Sequence, residues 1–106
     1  MDLRLNPFKT TVIIKAKYYP MWVEQTMLSA DEEHFRLIGG RKEAILANNR
    51  PALRRQHNLS RELEWRDVSG KFEPEVFNHI IRILEIEIYA REHPEISWTH
   101  IMLGKR

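Results

Sequence analysis

Residues 74–92, PEVFNHIIRILEIEIYARE, form the longest periodic segment of the chain. At about 100° per residue, most of its apolar side chains fall within an arc of roughly 160°, which is typical of a helix that faces a core. Pro74 suits the first turn of a helix, and Pro94 forces the residue before it out of the helical region. A segment of this length also exceeds a usual strand. The pattern therefore predicts one long helix against which the rest of the chain packs.

Three residues of this helix depart from a simple amphipathic pattern. Ile86 and Tyr89 fall on its polar side, which indicates either a helix covered on more than one side or an interface with another molecule. Glu87 falls inside the apolar arc, and Arg91 follows four residues later, the spacing of an ion pair along a helix. We therefore predict a Glu87–Arg91 pair at the edge of the core.

The first part of the chain predicts strands. Residues 10–18, TTVIIKAKY, are rich in β-branched residues and alternate along the segment, and Pro20 is expected to end this strand. Residues 22–29 and 33–38 predict two more strands, joined by a turn at the acidic pair 31–32. A helix over 22–33 is the alternative, and the hairpin is favoured because the glycine pair at 39–40 provides a sharp exit.

The middle and the end of the chain add shorter elements. Residues 41–49 are good helix formers, and together with the turn that begins at Pro51 they predict a short helical segment over about 41–56. Residues 63–72 predict a fourth strand or an extended arm that leads to the long helix. Residues 96–102 predict a last strand.

Strands early in the chain and a long helix late in it favour an α+β fold over alternating βαβ units. The 106 residues are expected to form a single domain. We predict a small antiparallel sheet of three to five strands, packed against the helix at about 74–92, with the short helical segment beside it. This fold requires five residues from the strands and the helix to share one core: Val12, Ile14, Phe77, Ile80 and Leu84.

Composition narrows the class of protein. The chain is 42% hydrophobic and 30% charged, which is typical of a globular protein. It contains no cysteine, which excludes disulfides and thiolate chemistry. No apolar run is long enough for a bilayer, and the first residues lack the apolar core of a secretory signal. The expectation is a cytoplasmic protein without membrane contact.

The sequence contains no recognisable catalytic residues, no cofactor motif and no metal-ligand spacing. The glycine pair lacks the surroundings of a phosphate-binding loop, and the five histidines are scattered. His34 follows the acidic residues 31–33 and raises the alternative of a cation site, because hard cations prefer carboxylate oxygens. Solvated turn charges are the favoured interpretation of this stretch.

The basic charge is concentrated between Arg41 and Arg66, where seven basic and three acidic residues give +4, although the whole chain carries only +2. Arginines bind phosphates in bidentate fashion and an exposed tryptophan stacks on bases, so a nucleic acid or an acidic protein is a candidate partner. In the structural interpretation, Trp65 lies in the core and at least one arginine pairs with Glu62, Glu64 or an acid of the long helix. The candidate binding residues are Arg41, Lys42, Arg50, Arg54, Arg55, Arg61, Trp65 and Arg66.

These observations favour a small non-enzymatic binding or regulatory protein that acts through protein–protein contacts, with a homodimer as one form of that contact. The alternative is a nucleic-acid-binding protein that uses residues 41–66, and a nuclease-like enzyme is third. Apolar strand edges and helix faces are often covered by a second copy. The candidate interface residues are Trp22, Ile86, Tyr89 and Trp98.

Overall fold

In the part of the chain that the structure describes, five antiparallel strands follow one another as neighbours in one meandering sheet. The computed structural model describes residues 3–56 and 62–93. The strands are Phe8–Ile14 (β1), Lys17–Leu28 (β2), Glu33–Gly39 (β3), Lys42–Asn48 (β4) and Trp65–Asp67 (β5); the helices are Arg50–Gln56 (α1) and Pro74–Glu92 (α2). The predicted α+β architecture is confirmed, and α2 has the predicted bounds.

The first hairpin differs from the prediction of one strand over 10–18. β1 ends at Ile14, the chain turns at Lys15 and Ala16, and Tyr18 already lies in β2. Both turn residues have positive φ, 52° and 66°, which matches the twist of a two-residue hairpin turn. Pro20 does not end a strand, because it lies within β2 opposite Thr11. Pairing of β2 with β3 begins only at Trp22, so the proline lies where one side of β2 is a free edge.

The predicted hairpin between residues 22 and 38 is confirmed, and the helical alternative for 22–33 is wrong. β2 pairs with β3 from Trp22 to Leu28, with a bulge between Gln25 and Met27. The turn is held by Ser29, whose N–H and hydroxyl both donate to the Glu32 carbonyl oxygen. β3 then alternates regularly, with one buried face and one partly exposed face.

The prediction of helix over residues 41–49 is wrong, because this stretch forms β4. It pairs with β3 on one side and β5 on the other. Ala44, Leu46 and Asn48 alternate on the buried face of the strand. Helix propensity differs by only tenths of a kcal/mol between such residues, and burial between two neighbouring strands outweighs it. The short helical segment is therefore present, but it begins at Arg50.

The core lies between α2 and one face of the sheet, which we call the inner face. Strand residues such as Val12, Phe35 and Leu46 pack there against Ile80, Leu84 and Ile88 of the helix. Ile14 and Phe77 pack against the same cluster, so the five residues predicted to share a core do so. Because burial of apolar area is the main stabilising contribution, this face fixes the position of the helix over the sheet.

Both edges of the sheet contact α2. At the β1 edge, the Arg91 guanidinium lies 3.9 Å from the centre of the Phe8 ring. The predicted Glu87–Arg91 pair is confirmed, at 2.7 Å between Nη1 and Oε1. At the β5 edge, the Trp65 indole N–H donates to the Glu85 carboxylate at 3.0 Å. Side chains of α2 therefore bind both edges of the sheet.

β5 occupies three residues of the predicted arm over 63–72. Asp67 ends it and organises the turn that follows, accepting hydrogen bonds from the Phe72 N–H, the Ser69 hydroxyl and the Gly70 N–H. Burial acts to raise the pKa of Asp67, but these hydrogen bonds outweigh it and hold that pKa below its usual value. The strand predicted over 96–102 lies outside the described residues.

Candidate functional site

Arg50 and Glu33 form a buried ion pair where the inner face of the sheet meets α1. Glu33 starts β3 and Arg50 starts α1, and their side chains are 0% and 5% exposed. The Arg50 Nε and Nη2 donate to the two Glu33 oxygens at 2.5 and 2.6 Å, which is the bidentate geometry that a planar guanidinium favours. The Gln25 amide also donates to Glu33, at 2.7 Å.

The same guanidinium also binds two further parts of the chain. Its Nη1 donates to Glu92 of α2 at 2.7 Å, and its Nη2 donates to the Leu3 carbonyl oxygen at 2.9 Å. Arg54 binds the second oxygen of Glu92 at 2.6 Å. Burial acts to lower the pKa of Arg50, but hydrogen bonding and attraction from Glu33 and Glu92 outweigh it and raise the pKa above its usual value. Arg50 is therefore charged at every working pH.

Two further arginines of the basic segment lie on the surface against carboxylates. Arg55 contacts Asp31 at 2.8 Å, and Arg66 contacts both oxygens of Glu32 at 3.0 and 3.2 Å. Hydrogen bonds from Arg66 and then from His34 hold the pKa of Glu32 below its usual value. Exposed pairs of this kind contribute little to stability, but they neutralise the charge that a phosphate would otherwise meet.

Trp65 is half-buried and packs against the core. Its ring lies 6.0 Å from that of Phe35, centre to centre, and its N–H is bound to Glu85. A buried tryptophan normally has a partner for its N–H, and this one is supplied by the long helix. This arrangement agrees with the structural interpretation of Trp65.

The structure divides the basic segment instead of gathering it. Arg41 and Lys42 are exposed at the start of β4, whereas Arg50 lies beyond its end, about 20 Å away at 3.3 Å per residue. Arg50 and Arg54 both form ion pairs with Glu92 of α2. The structural interpretation of the segment required that at least one arginine pair with Glu62, Glu64 or an acid of this helix. Arg61 lies outside the described residues. Binding of nucleic acid by the segment stays a prediction.

The three candidate interface residues that the structure describes lie on two opposite sides of the molecule. Ile86 and Tyr89 are exposed on the side of α2 that faces away from the sheet, and the Tyr89 ring stacks on His93. Trp22 is exposed on the opposite side of the molecule, on the face of the sheet that α2 does not cover. Trp98 lies outside the described residues.

The uncovered face of the sheet, which we call the outer face, carries an apolar stripe that sequence reasoning missed apart from Trp22. Ile13 lies directly across from Tyr18, and Trp22 directly across from Ile38. Ile13, Tyr18 and Trp22 are 48%, 72% and 37% exposed. Alternation places all of these side chains, with Pro20 between Tyr18 and Trp22, on one face. The stripe therefore consists of Ile13, Tyr18, Pro20, Trp22 and Ile38.

An apolar cleft opens on the inner face, at the end of the core away from the Arg50–Glu33 pair. Its volume is about 620 Å³. It lies between the start of α2 and the hairpins β1–β2 and β3–β4, where the helix no longer fills the space above the sheet. The lining residues are Ile14, Tyr19, Pro20, Met21, Leu37, Gly39, Gly40, Lys42, Glu43, Ala44, Lys71, Phe72, Val76 and Ile80.

The acidic stretch beside His34 is used for internal contacts. Glu33 is held by Arg50, and the His34 Nε2 lies 3.0 Å from Glu32. Among residues 3–56 and 62–93, no group of three or more histidines and acids is arranged to hold a metal ion. In the same residues, neither helix is long and apolar enough to cross a membrane.

Comparison with known proteins yields no relative. No family model matches the chain, and neither the curated proteins nor the solved structures contain a match.

Proposed function

We propose that this chain is a small binding protein without a catalytic centre, acting through protein–protein contacts, and that its outer face binds a second copy of the chain. The observation that carries the proposal is the apolar stripe, which leaves Ile13, Tyr18 and Trp22 exposed on a sheet face that no described helix covers. Tyrosine and tryptophan are also the residues that most often dominate the binding energy of protein interfaces.

A second copy suits the stripe because of its shape and its borders. Two sheets pack face to face about 10 Å apart, with side chains of both inner surfaces interdigitating. Lys9 flanks the stripe next to Trp22, and Glu43 flanks it on the other side, next to Ile38. When two copies pack face to face about a two-fold axis that runs along the stripe, the Lys9 side of one copy lies over the Glu43 side of the other. The charges at the borders of the two copies are then complementary.

Sedimentation equilibrium tests the proposal with Tyr18→Glu, since this side chain is 72% exposed and its replacement leaves the core intact. We expect the full chain to sediment as a dimer, and the variant to dissociate at least tenfold more readily, because a buried carboxylate without a partner costs more than about 1.4 kcal/mol.

Tyr89→Glu is the matched control, a similarly exposed tyrosine on the far side of α2. It should leave the association unchanged. A monomer at millimolar concentration, or equal effects of both variants, would refute self-association through the outer face. Dissociation by Tyr89→Glu alone would move the interface to the exposed side of the helix.

A further inference from the structure

We propose that the apolar cleft on the inner face binds an elongated amphipathic molecule with one carboxylate end. The cleft is formed by α2 and the inner face, whereas the stripe lies on the outer face, and Pro20 of β2 borders both. Its volume of about 620 Å³ lies within the range of about 300–1,000 Å³ that small-molecule sites occupy.

The walls of the cleft are apolar on all three sides. Ile14 and Met21 contribute from the first hairpin, Leu37 forms the floor, and Val76 and Ile80 form the side that belongs to the helix. Ile14, Met21 and Val76 are partly buried and pack at the margin of the core, so one side of each is excluded from water and the other side is exposed in the cleft. An apolar chain that enters the cleft therefore removes water from both itself and these side chains.

The mouth of the cleft is basic. Lys42 and Lys71 line it, and Lys17 lies across from Ile14 on the same face of the sheet. The Lys71 ammonium donates to the Glu43 carbonyl oxygen at 2.6 Å, which holds it at the mouth. Neither Lys17 nor Lys42 has an ion pair within the described residues.

Glu43 also lines the cleft, but its carboxylate does not neutralise the lysines at the mouth. Glu43 belongs to the outer face, where it lies across from Ile38, and its carboxylate is 3.7 Å from Arg36. Apolar walls that end in lysines complement a molecule that has an apolar body and an anionic head. The lysines contact the head in water, where an ammonium acts as a point charge and requires no fixed geometry.

Isothermal titration of the full chain with octanoate, decanoate and dodecanoate, each below the concentration at which it forms micelles, tests the proposal. Burial of one methylene contributes about 0.8 kcal/mol, so each added carbon should tighten binding about fourfold, or about fifteenfold for each step of two carbons. Decanol, with the same apolar chain and no charge, should bind at least fivefold more weakly than decanoate.

Variants assign the binding to this cleft. Lys42→Gln combined with Lys71→Gln should weaken decanoate binding by fivefold or more and leave decanol binding unchanged, whereas Lys9→Gln on the outer face should change neither. Val76→Trp should fill the cleft and abolish binding of both molecules, and its melting temperature reports that it remains folded.

Several results overturn the proposal. The first is that none of the three carboxylates gives a heat of binding in the titration or changes the chemical shifts of the protein in nuclear magnetic resonance spectra. The second is an affinity that does not depend on the length of the carbon chain, and the third is equal affinity for decanol and decanoate. Undiminished binding by a folded Val76→Trp variant has the same consequence. Tyr18→Glu should bind decanoate like the unmodified chain, so loss of self-association and loss of ligand binding are measured separately.

Discussion

Replacing Arg50 by methionine tests how much the buried Arg50–Glu33 ion pair contributes to the stability of the fold. The change removes four hydrogen bonds of 2.5–2.9 Å and leaves the fully buried Glu33 carboxylate without its guanidinium. Removal of one partner from a buried pair costs about 3–5 kcal/mol. Since small domains are stable by only about 5–15 kcal/mol, we expect Arg50→Met to lose a large part of the free energy of unfolding.

Urea unfolding followed by tryptophan fluorescence measures this loss. The matched control is Arg54→Met, because Arg54 binds the same Glu92 but is 40% exposed, so its removal should cost about 1 kcal/mol or less. The double change Arg50→Met with Glu33→Leu should be more stable than Arg50→Met alone, because no unpaired charge is then left in the core.

Two results would refute the reasoning. The first is equal destabilisation by Arg50→Met and Arg54→Met, which would mean that Glu33 does not depend on the buried guanidinium. The second is a double variant whose loss equals the sum of the losses of Arg50→Met and Glu33→Leu, since two residues in one network must couple.

Two further predictions concern turns. Asp67→Asn should lower the free energy of unfolding by about 1 kcal/mol at pH 7. The pKa of Asp67 is lowered in the folded state, so its carboxylate contributes stability above its unfolded pKa, near 3.9, and this stability is lost as the pH falls through the folded pKa. The unfolding of Asp67→Asn in acid should therefore depend less on pH than that of the unmodified chain. Asp31→Asn, at an exposed carboxylate, is the control, and an unchanged acid profile in Asp67→Asn would contradict the assignment. Lys15→Asn with Ala16→Gly should raise the free energy of unfolding by about 1–2 kcal/mol, because both residues adopt positive φ, which costs side chains other than glycine about this much; an unchanged melting temperature would show that the turn carries no such strain.

The long helix was predictable because its local and long-range signals agree. Its period, its length and the prolines at both ends all indicate residues 74–92, and the buried residues Ile80, Leu84 and Ile88 lie on the predicted arc. The hairpin formed by β2 and β3 was predictable for the same reason, since alternation and the glycine exit point to one register.

β4 was mispredicted because its local signals oppose its environment. Residues 42–48, KEAILAN, are ordinary helix formers, and what makes them a strand is pairing with β3 and with the three residues of β5. The partner on the β5 side is more than fifteen residues away in sequence. No window of a single sequence contains that information, since it comes from the tertiary contacts.

The role of Arg50 shows why charge counting identifies a basic segment but does not reveal which carboxylates its arginines contact. The excess of positive charge over 41–66 is real, but the acids that balance Arg50, Arg54 and Arg66 lie on β3, on α2 and in the turn before β3. At one end of the inner face, Arg50 and Arg54 form a network of zero net charge with Glu33 and Glu92, which holds the end of α2 in place. At the other end of the same face, residues 3–56 and 62–93 form no such network, and there the helix and the sheet separate to form the apolar cleft, with Lys42 at its mouth. The same basic segment therefore contributes both a buried cation that links β3 to α2, Arg50, and an exposed cation beside the cleft, Lys42.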